Sequence, residues 1–406
     1  MKTGIKLALG AFLTLSTTSL FATNGATLIG MGAETRGMAG TGIGVAHGAE
    51  SALTNPALIT SVDKTEISFG GTFFMPDVSY GSQGGTTAQS AADLSIIPEV
   101  SLATKINDDF YIGIGMWGTG GMGVDYSDAA LSAGTMQMVT NLQLMQFGVP
   151  LAYTTNGFSI AITPILQYGS LDINYDMDGN PANGGMGMGV AQDLSFGYNI
   201  GIAYEKKNIT VGAIYKSRID MEYRGFANMI QPFMNPGFIY TNNKLSTPAE
   251  MGIGASYKLK EHTFALDYKI IKWSDALGYK DFEWDDQDVF TIGYEYTQKD
   301  WALRLGYNYA SSPISEQSGM YNNGAGLNGY TINMFNLLGF PGIVESHYAI
   351  GGTYNLSEQT SIDLAYTYAP ESEDTYTTYN RAAGATYTIT TKHSQSAVSA
   401  QLNFNF

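Results

Sequence analysis

A two-residue alternation of apolar and polar side chains runs through most of this chain and limits what it can fold into. It is clearest in the last thirteen residues, where the apolar face is Val398, Ala400, Leu402, Phe404 and Phe406. Successive side chains of a β-strand point to opposite faces, so such a segment has one apolar and one mostly polar face. Repeated along a chain that carries an export signal, the pattern indicates a barrel with lipid outside and a wetter interior.

The amino terminus supplies that signal. Lys2 and Lys6 precede a short apolar core at 7–15, and small or polar residues lead to a predicted cleavage point near Ala22. The core is too short to span a bilayer, which needs about 20 apolar residues. We therefore predict a signal peptide at 1–22; a retained anchor is disfavoured because no long apolar run follows.

The composition excludes several classes of protein. No later run reaches the length of a transmembrane helix, which argues against a helical membrane protein. The absence of cysteine excludes disulfides, thiolate metal sites and a cysteine nucleophile. The net charge of -16 argues against a nucleic-acid partner, which would require a basic surface.

Fourteen alternating segments predict an all-β fold, a transmembrane antiparallel β-barrel of about fourteen strands over residues 63–406. Short turns alternate with long loops, as in outer-membrane barrels whose long loops lie outside the cell. The predicted strands lie at about 66–80, 94–106, 110–126, 142–155, 158–175, 194–205, 209–223, 251–259, 264–270, 290–296, 303–309, 348–354, 362–368 and 394–406. The predicted long loops lie at 172–193, 223–247, 274–288, 311–346 and 371–392.

Residues 23–62 do not alternate and are rich in glycine and other small residues. They end in a segment that begins Asn55-Pro56-Ala57. One interpretation is a flexible periplasmic tail, and the other is a plug inside the barrel lumen. Few charges and many small or apolar residues suit a packed interior better than a solvated tail, so the plug is favoured.

The stretch GMGAETRGMAGTGIGVAHGAESALTNPALIT, from Gly30 to Thr60, resembles the amino-terminal hatch of the FadL/TodX family of outer-membrane transporters of hydrophobic compounds. Three further stretches resemble the first strand and loop and the central strands of that family: Phe74–Gly81, Thr247–Leu259 and Lys269–Tyr279. The resemblance implies a bacterial outer-membrane location, passive uptake of long-chain fatty acids or other hydrophobic compounds, and a hatch in which Asn55, Pro56 and Ala57 form the gate.

One departure from the family concerns the contacts that hold the hatch. Many members carry Pro-Asp and a following Arg before the twelfth strand, whereas this chain reads FPGIVESHYAIG from Phe340 to Gly351. If the hatch is held from this stretch, Glu345 or His347 must make the contact; otherwise the latch is different.

Six glycines crowd the predicted third strand between Gly113 and Gly123. They can bend the strand to follow the curvature of the barrel, or interrupt pairing and open the wall. The resemblance implies such a kink in the third strand, and the candidate residues for a lateral opening are Gly118, Gly120 and Gly121.

Two of the predicted extracellular loops are unusually apolar. They either pack on one another and cap the barrel, or offer a ligand surface, and a cap with a groove does both. The candidate capture residues are Phe226, Met229, Phe233, Met234, Phe238, Phe335 and Leu338.

No enzyme, cofactor or metal site is predicted. The four histidines are scattered, and no nucleophile motif accompanies them. The acidic clusters at 176–180 and 281–288 are interpreted as solvated loops rather than calcium sites.

The sequence thus predicts a monomeric outer-membrane transporter for passive uptake of a hydrophobic small molecule, in contact with membrane lipid and lipopolysaccharide. Apolar loops would capture the ligand, the hatch would gate it, and the kinked third strand would release it sideways. A general porin for polar solutes and a surface adhesin are the alternatives. The sequence does not distinguish fatty acids from alkanes or monoaromatic hydrocarbons.

Overall fold

The computed structural model of the chain describes residues 23–83, 85, 87–129, 136–176, 185–380 and 384–406. The predicted signal peptide, 1–22, and residues 177–180 of one predicted acidic loop lie outside these ranges.

Antiparallel strands dominate the described residues, and their helices are short. The strands are β1 (Thr23–Asn24), β2 (Thr27–Leu28), β3 (Thr65–Ser82), β4 (Thr87–Gln89), β5 (Ser95–Lys105), β6 (Phe110–Asp125), β7 (Gln137–Gly148), β8 (Leu151–Thr155), β9 (Phe158–Asp176), β10 (Met186–Gly187), β11 (Ala191–Lys206), β12 (Ile209–Lys216), β13 (Glu250–Leu259), β14 (His262–Ile271), β15 (Gln287–Thr297), β16 (Trp301–Ala310), β17 (Ser346–Asn355), β18 (Thr360–Asn380) and β19 (Ala385–Asn405). The α-helices are α1 (Ala33–Gly37), α2 (Ser51–Thr54), α3 (Phe226–Ile230) and α4 (Gly329–Met334), and a π turn, Phe335–Gly339, continues α4. Short 3₁₀ helices span Gly48–Glu50, Pro56–Ser61, Gln231–Phe233, Trp273–Asp275 and Tyr279–Phe282. None of the described helices is long and apolar enough to cross a bilayer.

The long strands close into a barrel because the last strand pairs with the first long strand. β19 runs antiparallel to β3 from Asn405 opposite Glu66 to Ile389 opposite Ser82. β7 and β8 form one wall strand that is interrupted at Val149 and Pro150, so the wall has fourteen strands. Closure removes the open edges whose unpaired backbone groups lipid cannot satisfy. The prediction of an antiparallel barrel of about fourteen strands is confirmed.

The alternation in the sequence separates the two faces of the wall. Leu266 is 55% exposed on the outer face, whereas its neighbour Asp267 is 3% exposed on the inner face. Short turns join the strands at one rim, such as Asn156–Gly157, where both residues have the positive φ that a tight hairpin requires. The long connections lie at the opposite rim.

The predicted loop at 371–392 is wrong, because β18 and β19 continue there as a paired hairpin above the barrel. Its residues do not alternate between apolar and polar, since the extension leaves the lipid zone; Thr375 and Thr390, for example, face each other with hydroxyl oxygens 2.7 Å apart. The neighbouring long loop covers its free edge. Asn333 donates to the carbonyl oxygen of Thr377 at 2.8 Å, and the Thr377 amide donates to Glu316 at 2.7 Å.

The predicted strand at 209–223 is also too long, since β12 ends at Lys216. Beyond that point the chain turns inward, and Met221 and Tyr223 are fully buried. Only isolated bridges, such as Ile219 opposite Thr247, continue the pairing.

Candidate functional site: a filled lumen and a gap in its wall

Residues 23–62, here called the hatch segment, lie inside the barrel against the inward face of the wall, and most of their side chains are buried. Their backbone approaches wall glycines so closely that no other residue fits. A Cβ on Gly306 would lie 2.3 Å from the carbonyl carbon of Met38, and one on Gly212 would lie 2.0 Å from the carbonyl oxygen of Ile43. Because these wall residues are glycines, the backbone of the hatch segment packs directly against the backbone of the wall strands.

The Asn55-Pro56-Ala57 triplet ties the hatch segment to itself and to β11. Asn55 is fully buried, and its Nδ2 donates to the carbonyl oxygens of Ile43 at 2.7 Å and Ile202 at 3.2 Å. Its Oδ1 accepts the Ala57 amide at 3.2 Å, while Pro56 begins the 3₁₀ helix that follows. Asn55 therefore fixes a turn of the hatch segment and one of its contacts with the wall.

Replacing Asn55 with alanine is expected to loosen the hatch segment while the barrel stays assembled. The change removes the Asn55 partner of the buried Ile43 carbonyl and Ala57 amide, and each buried backbone group left unpaired costs about 1–3 kcal/mol. Hydrogen exchange of the hatch amides should therefore be faster by at least about tenfold. Asn199→Ala is the matched control, since Asn199 reaches the hatch only by a 3.5 Å contact to Leu53. Equal exchange in the two variants would contradict the assignment.

A buried ion pair joins the hatch segment to β5. Both terminal nitrogens of the Arg36 guanidinium contact the Glu99 carboxylate, with Nη1 2.7 Å from Oε2. Arg36 also donates to Thr72 at 2.6 Å, and Glu99 accepts the Gly32 amide at 3.0 Å. The two charged side chains are 2% and 4% exposed, so their charges must compensate each other.

A second wall carboxylate, Asp267 of β14, is capped by backbone amides of the hatch segment. It accepts N–H groups from Gly42 at 2.7 Å, Ile43 at 2.8 Å and Gly44 at 3.4 Å. Three amide contacts to one buried carboxylate therefore fix the glycine turn on the wall.

The third polar contact centres on Arg304 of β16. Its guanidinium lies 3.0 Å from Glu34 of the hatch segment, 2.7 Å from Glu295 and 3.7 Å from Asp363. Burial raises the pKa of Glu34, but the charge of Arg304, followed by His47, outweighs burial and lowers it to about 2. Glu34 is therefore ionised, and its ion pair with Arg304 connects the hatch segment to the wall carboxylates of Glu295 and Asp363.

Glu50 of the hatch segment completes this network. Burial, followed by the carboxylates of Glu34 and Asp363, raises the pKa of Glu50 well above its ordinary value. Oxygens of Glu34, Glu50 and Asp363 lie within 4.8 Å of one another, a spacing that could accommodate a cation. Arg304 and the amide of Gln401 already contact these carboxylates, so we assign no metal.

Sequence reasoning missed these contacts. Among the described residues, neither Glu345 nor His347 has a hydrogen bond or ion pair to the hatch segment: Glu345 accepts the Ser312 amide, and His347 shares the Gln395 side-chain oxygen with the Thr23 amide. The latch is therefore different from the family pattern. The available signal was the presence of ionisable residues at inward positions of wall strands, which are costly unless partnered. Those residues are Glu99, Asp267, Arg304 and Asp363.

The backbone pairing of the wall is interrupted between β5 and β6, and this interruption is here called the gap. Their pairing stops at Glu99 opposite Trp117, and within the described residues the part of β6 that follows Trp117 has no partner on β5. A bulge at Thr119 turns β6 inward, and its residues lose the alternation of exposed and buried side chains from Trp117 onward. β2 of the hatch segment takes the vacant place: Thr27 pairs with Gly120, and the Gly121 amide donates to Ala26 at 3.0 Å.

The seven candidate capture residues lie in the long loops at one rim, and six of them are buried there. Phe233 and Phe335 come from different loops and pack edge to face with ring centres 5.0 Å apart. Phe238 is 44% exposed. The apolar loops therefore pack on one another as a cap, and the cluster continues inward to Trp273 and Trp284. The six buried residues are Phe226, Met229, Phe233, Met234, Phe335 and Leu338.

Residues 14–321 match the family model described as outer membrane protein transport protein (OMPP1/FadL/TodX). A long-chain fatty acid transport protein of Escherichia coli O6:H1 is 27% identical over 233 residues, which is 48% of this chain and 52% of that protein. A protein of the same description from Salmonella typhi is 25% identical over 217 residues, 46% of this chain and 50% of that protein. The chain therefore spans about half the length of the curated relatives it matches.

Solved structures resemble the whole fold. A FadL homologue of Pseudomonas aeruginosa superposes with a TM-score of 0.73 at 16% identity, covering 94% of this chain and 100% of that one. The toluene transporter TodX of P. putida gives a TM-score of 0.67 at 17% identity, covering 93% of this chain and 99% of that one. At this identity the likeness shows the fold. The matched family and relatives are described as transport proteins, in agreement with the prediction that the chain is not an enzyme.

Proposed function

The chain belongs to the outer membrane protein transport protein family (OMPP1/FadL/TodX), and from this membership we propose that it takes up hydrophobic compounds passively across the outer membrane. The observation that carries the proposal is the combination of a filled lumen with a gap in the wall beside the filling segment. A segment folded into the lumen obstructs polar solutes, whereas a break in the wall of a membrane barrel suits a ligand that leaves water readily. We expect a monomer surrounded by lipid and lipopolysaccharide.

The partition of such ligands favours a sideways route. A chain of about 14 methylenes gains roughly 11 kcal/mol when it leaves water, at about 0.8 kcal/mol each. Association and ordering costs take back part of this gain. The remainder still holds the ligand tightly, so release requires an element that moves and an exit that does not return the ligand to water.

The proposed transport route has three steps. The ligand enters at the apolar loops, passes into the lumen when the hatch segment shifts, and leaves through the gap between β5 and β6. The residues assigned to capture are Phe226, Met229, Phe233, Met234, Phe238, Phe335 and Leu338; those assigned to the gate are Asn55, Pro56 and Ala57; those assigned to the lateral opening are Gly118, Gly120 and Gly121.

Two lysines beside one shared carboxylate offer a contact for the head group of an amphipathic acid that a neutral hydrocarbon would not use. Lys216 and Lys269 lie 3.5 Å and 3.2 Å from the same carboxylate oxygen of Glu250, and the carboxylate of Asp267 at the same cavity already accepts amides of the hatch segment. The three side chains line a small cavity with the apolar hatch residues Leu28 and Ile43. A fatty acid could place its carboxylate on the lysines and its chain on the hatch residues.

A binding panel with purified protein tests the proposed function. Radiolabelled long-chain fatty acid should bind and be displaced by unlabelled fatty acid, with toluene and alkane as competitors. Lys269→Gln should weaken fatty-acid binding about tenfold or more, since a hydrogen bond to a charged group is worth about 1.5–3 kcal/mol, and should leave toluene binding unchanged. Absence of binding by every hydrophobic compound, with steady conductance for ions instead, would favour a general porin.

Replacing Gly118 with valine is expected to slow uptake about tenfold while binding persists. A Cβ at Gly118 would lie 2.6 Å from Cγ2 of Ile97 on β5, so the larger side chain fills the gap. Gly81→Val is the matched control, because a Cβ there meets only Thr87, at 3.5 Å. Initial rates of uptake into cells that lack their own transporter provide the measurement. An unchanged rate in Gly118→Val would argue against lateral exit.

A further inference from the structure

The hatch segment is bonded to both edges of the wall gap. On the β6 edge, Thr27 pairs with Gly120 and Ala26 accepts the Gly121 amide. On the β5 edge, Arg36 contacts Glu99 through Nη1 and Nη2 of its guanidinium group. The stretch from Ala26 to Arg36 therefore bridges the gap from one edge to the other.

Glu99 occupies the point where the wall stops pairing. The pairing of β5 with β6 runs from Lys105 back to Glu99 and ends there. The Glu99 carboxylate accepts hydrogen bonds from both Arg36 and the Gly32 amide. The carboxylate and the guanidinium are both almost completely buried. Separating them would leave two uncompensated charges in the interior, so the pair opposes any shift of this part of the hatch segment.

The preceding residue, Pro98, weakens the edge of β5 that faces the gap. Pro98 has no N–H to donate to a neighbouring strand. Its carbonyl oxygen lies on the β6 side, 4.0 Å from the position of a Cβ on Gly118. Because the N–H and C=O of one strand residue point to the same side, the missing donor faces β6. Beyond Glu99, β6 therefore pairs with the hatch segment where it does not pair with β5.

We propose that Arg36 and Glu99 form a latch that positions β2 over the gap, so that opening the gap requires this one ion pair to separate. The inference rests on the proposed function, since a latch matters to transport only if the hatch segment moves. Arg36 and Glu99 are positioning residues: they hold the segment that covers the opening.

The absence of cysteine allows a direct test, because Thr27→Cys introduces the only thiol of the chain. Thr27 is 6% exposed, so a membrane-impermeant maleimide should label this cysteine slowly. Adding Glu99→Gln should raise the labelling rate about tenfold or more, because Arg36 loses its buried counterion. Equal labelling rates with and without Glu99→Gln would overturn the latch.

Glu66→Gln is the matched control. Glu66 of β3 accepts the hatch amide of Ala49 at 2.7 Å, as Glu99 accepts that of Gly32, but it lies away from the gap and has no arginine partner among the described residues. This control should leave labelling at Thr27→Cys within about twofold, as expected for independent sites. Acceleration equal to that of Glu99→Gln would mean that any loosening of the hatch segment exposes β2, and would overturn the assignment.

A double variant separates a specific pair from general destabilisation. Arg36→Gln combined with Glu99→Gln removes both buried charges, so its labelling rate should fall between wild type and either single variant. Additive acceleration in the double variant would contradict the pairing. Heat-modifiable migration on gels checks in each variant that the barrel is assembled.

The labelling assay contains no substrate, so it is independent of transport. Labelling that responds as expected in a protein that binds no hydrophobic compound would support the latch and refute the proposed function. Uptake of fatty acid by a protein whose labelling ignores Glu99→Gln would support the function and refute the latch.

Discussion

Oxidation of a cysteine pair at Met38→Cys and Gly293→Cys is expected to stop uptake of hydrophobic compounds, and reduction is expected to restore it. A Cβ on Gly293 of β15 would lie 3.1 Å from the Met38 Cβ. Disulfides join Cβ atoms about 3.5–4.5 Å apart, so a small shift suffices. The bond fixes the hatch segment to the wall, and transport that depends on its movement should fall to background. Uptake of radiolabelled fatty acid before and after reduction measures the effect.

A disulfide within the wall serves as the control for oxidation itself. Thr65 and Thr104 face each other on β3 and β5 with hydroxyl oxygens 2.7 Å apart, so Thr65→Cys with Thr104→Cys should also cross-link. This pair does not touch the hatch segment, and its oxidation should leave uptake unchanged. Full uptake by the oxidised Met38–Gly293 variant would show that uptake does not require the hatch segment to move.

Deletion of residues 23–60 is expected to turn a protein without steady conductance into an open pore. The wall is closed by backbone pairing between β19 and β3, which does not involve the deleted residues. Removing them leaves wall charges such as Asp267 and Arg304 facing a space that water can enter. Planar-bilayer recordings should show steady current steps only for the deletion variant. Steady currents in the full chain, or none after deletion, would contradict a lumen filled by its own amino-terminal segment.

The membrane makes the wall predictable from sequence. Lipid requires every outward side chain to be apolar and every backbone group to be paired, so the alternation through Leu266 and Asp267 predicts both the strand and its two faces. The same rule does not act above the membrane. The hairpin of β18 and β19 therefore continues through threonine pairs such as Thr375 and Thr390, which carry no apolar face, and its sequence resembles a loop.

The contacts of the hatch segment are predictable only in part. The glycines near Gly118 indicated a break in the third strand, and the structure has a bulge there. The strand that covers the break could not be recognised, because β2 has two residues and no periodicity. Alternation also gives the face of Glu99 or Arg304 but neither its height in the barrel nor its partner. Arg36 and Glu99 are 63 residues apart in the chain, so no local sequence pattern shows that they pair.

Photolabelling with a diazirine-bearing fatty acid tests most directly the central claim that hydrophobic compounds leave the lumen through the gap that the hatch segment covers. After uptake and irradiation, the account predicts adducts on the two edges of the gap, at Ile97 of β5 and from Gly118 to Met122 of β6, and loss of these adducts in the oxidised Met38–Gly293 variant. Adducts confined to the end of the hatch segment and the wall beside it, around Thr60 and Ser159, with none at the gap, would contradict it.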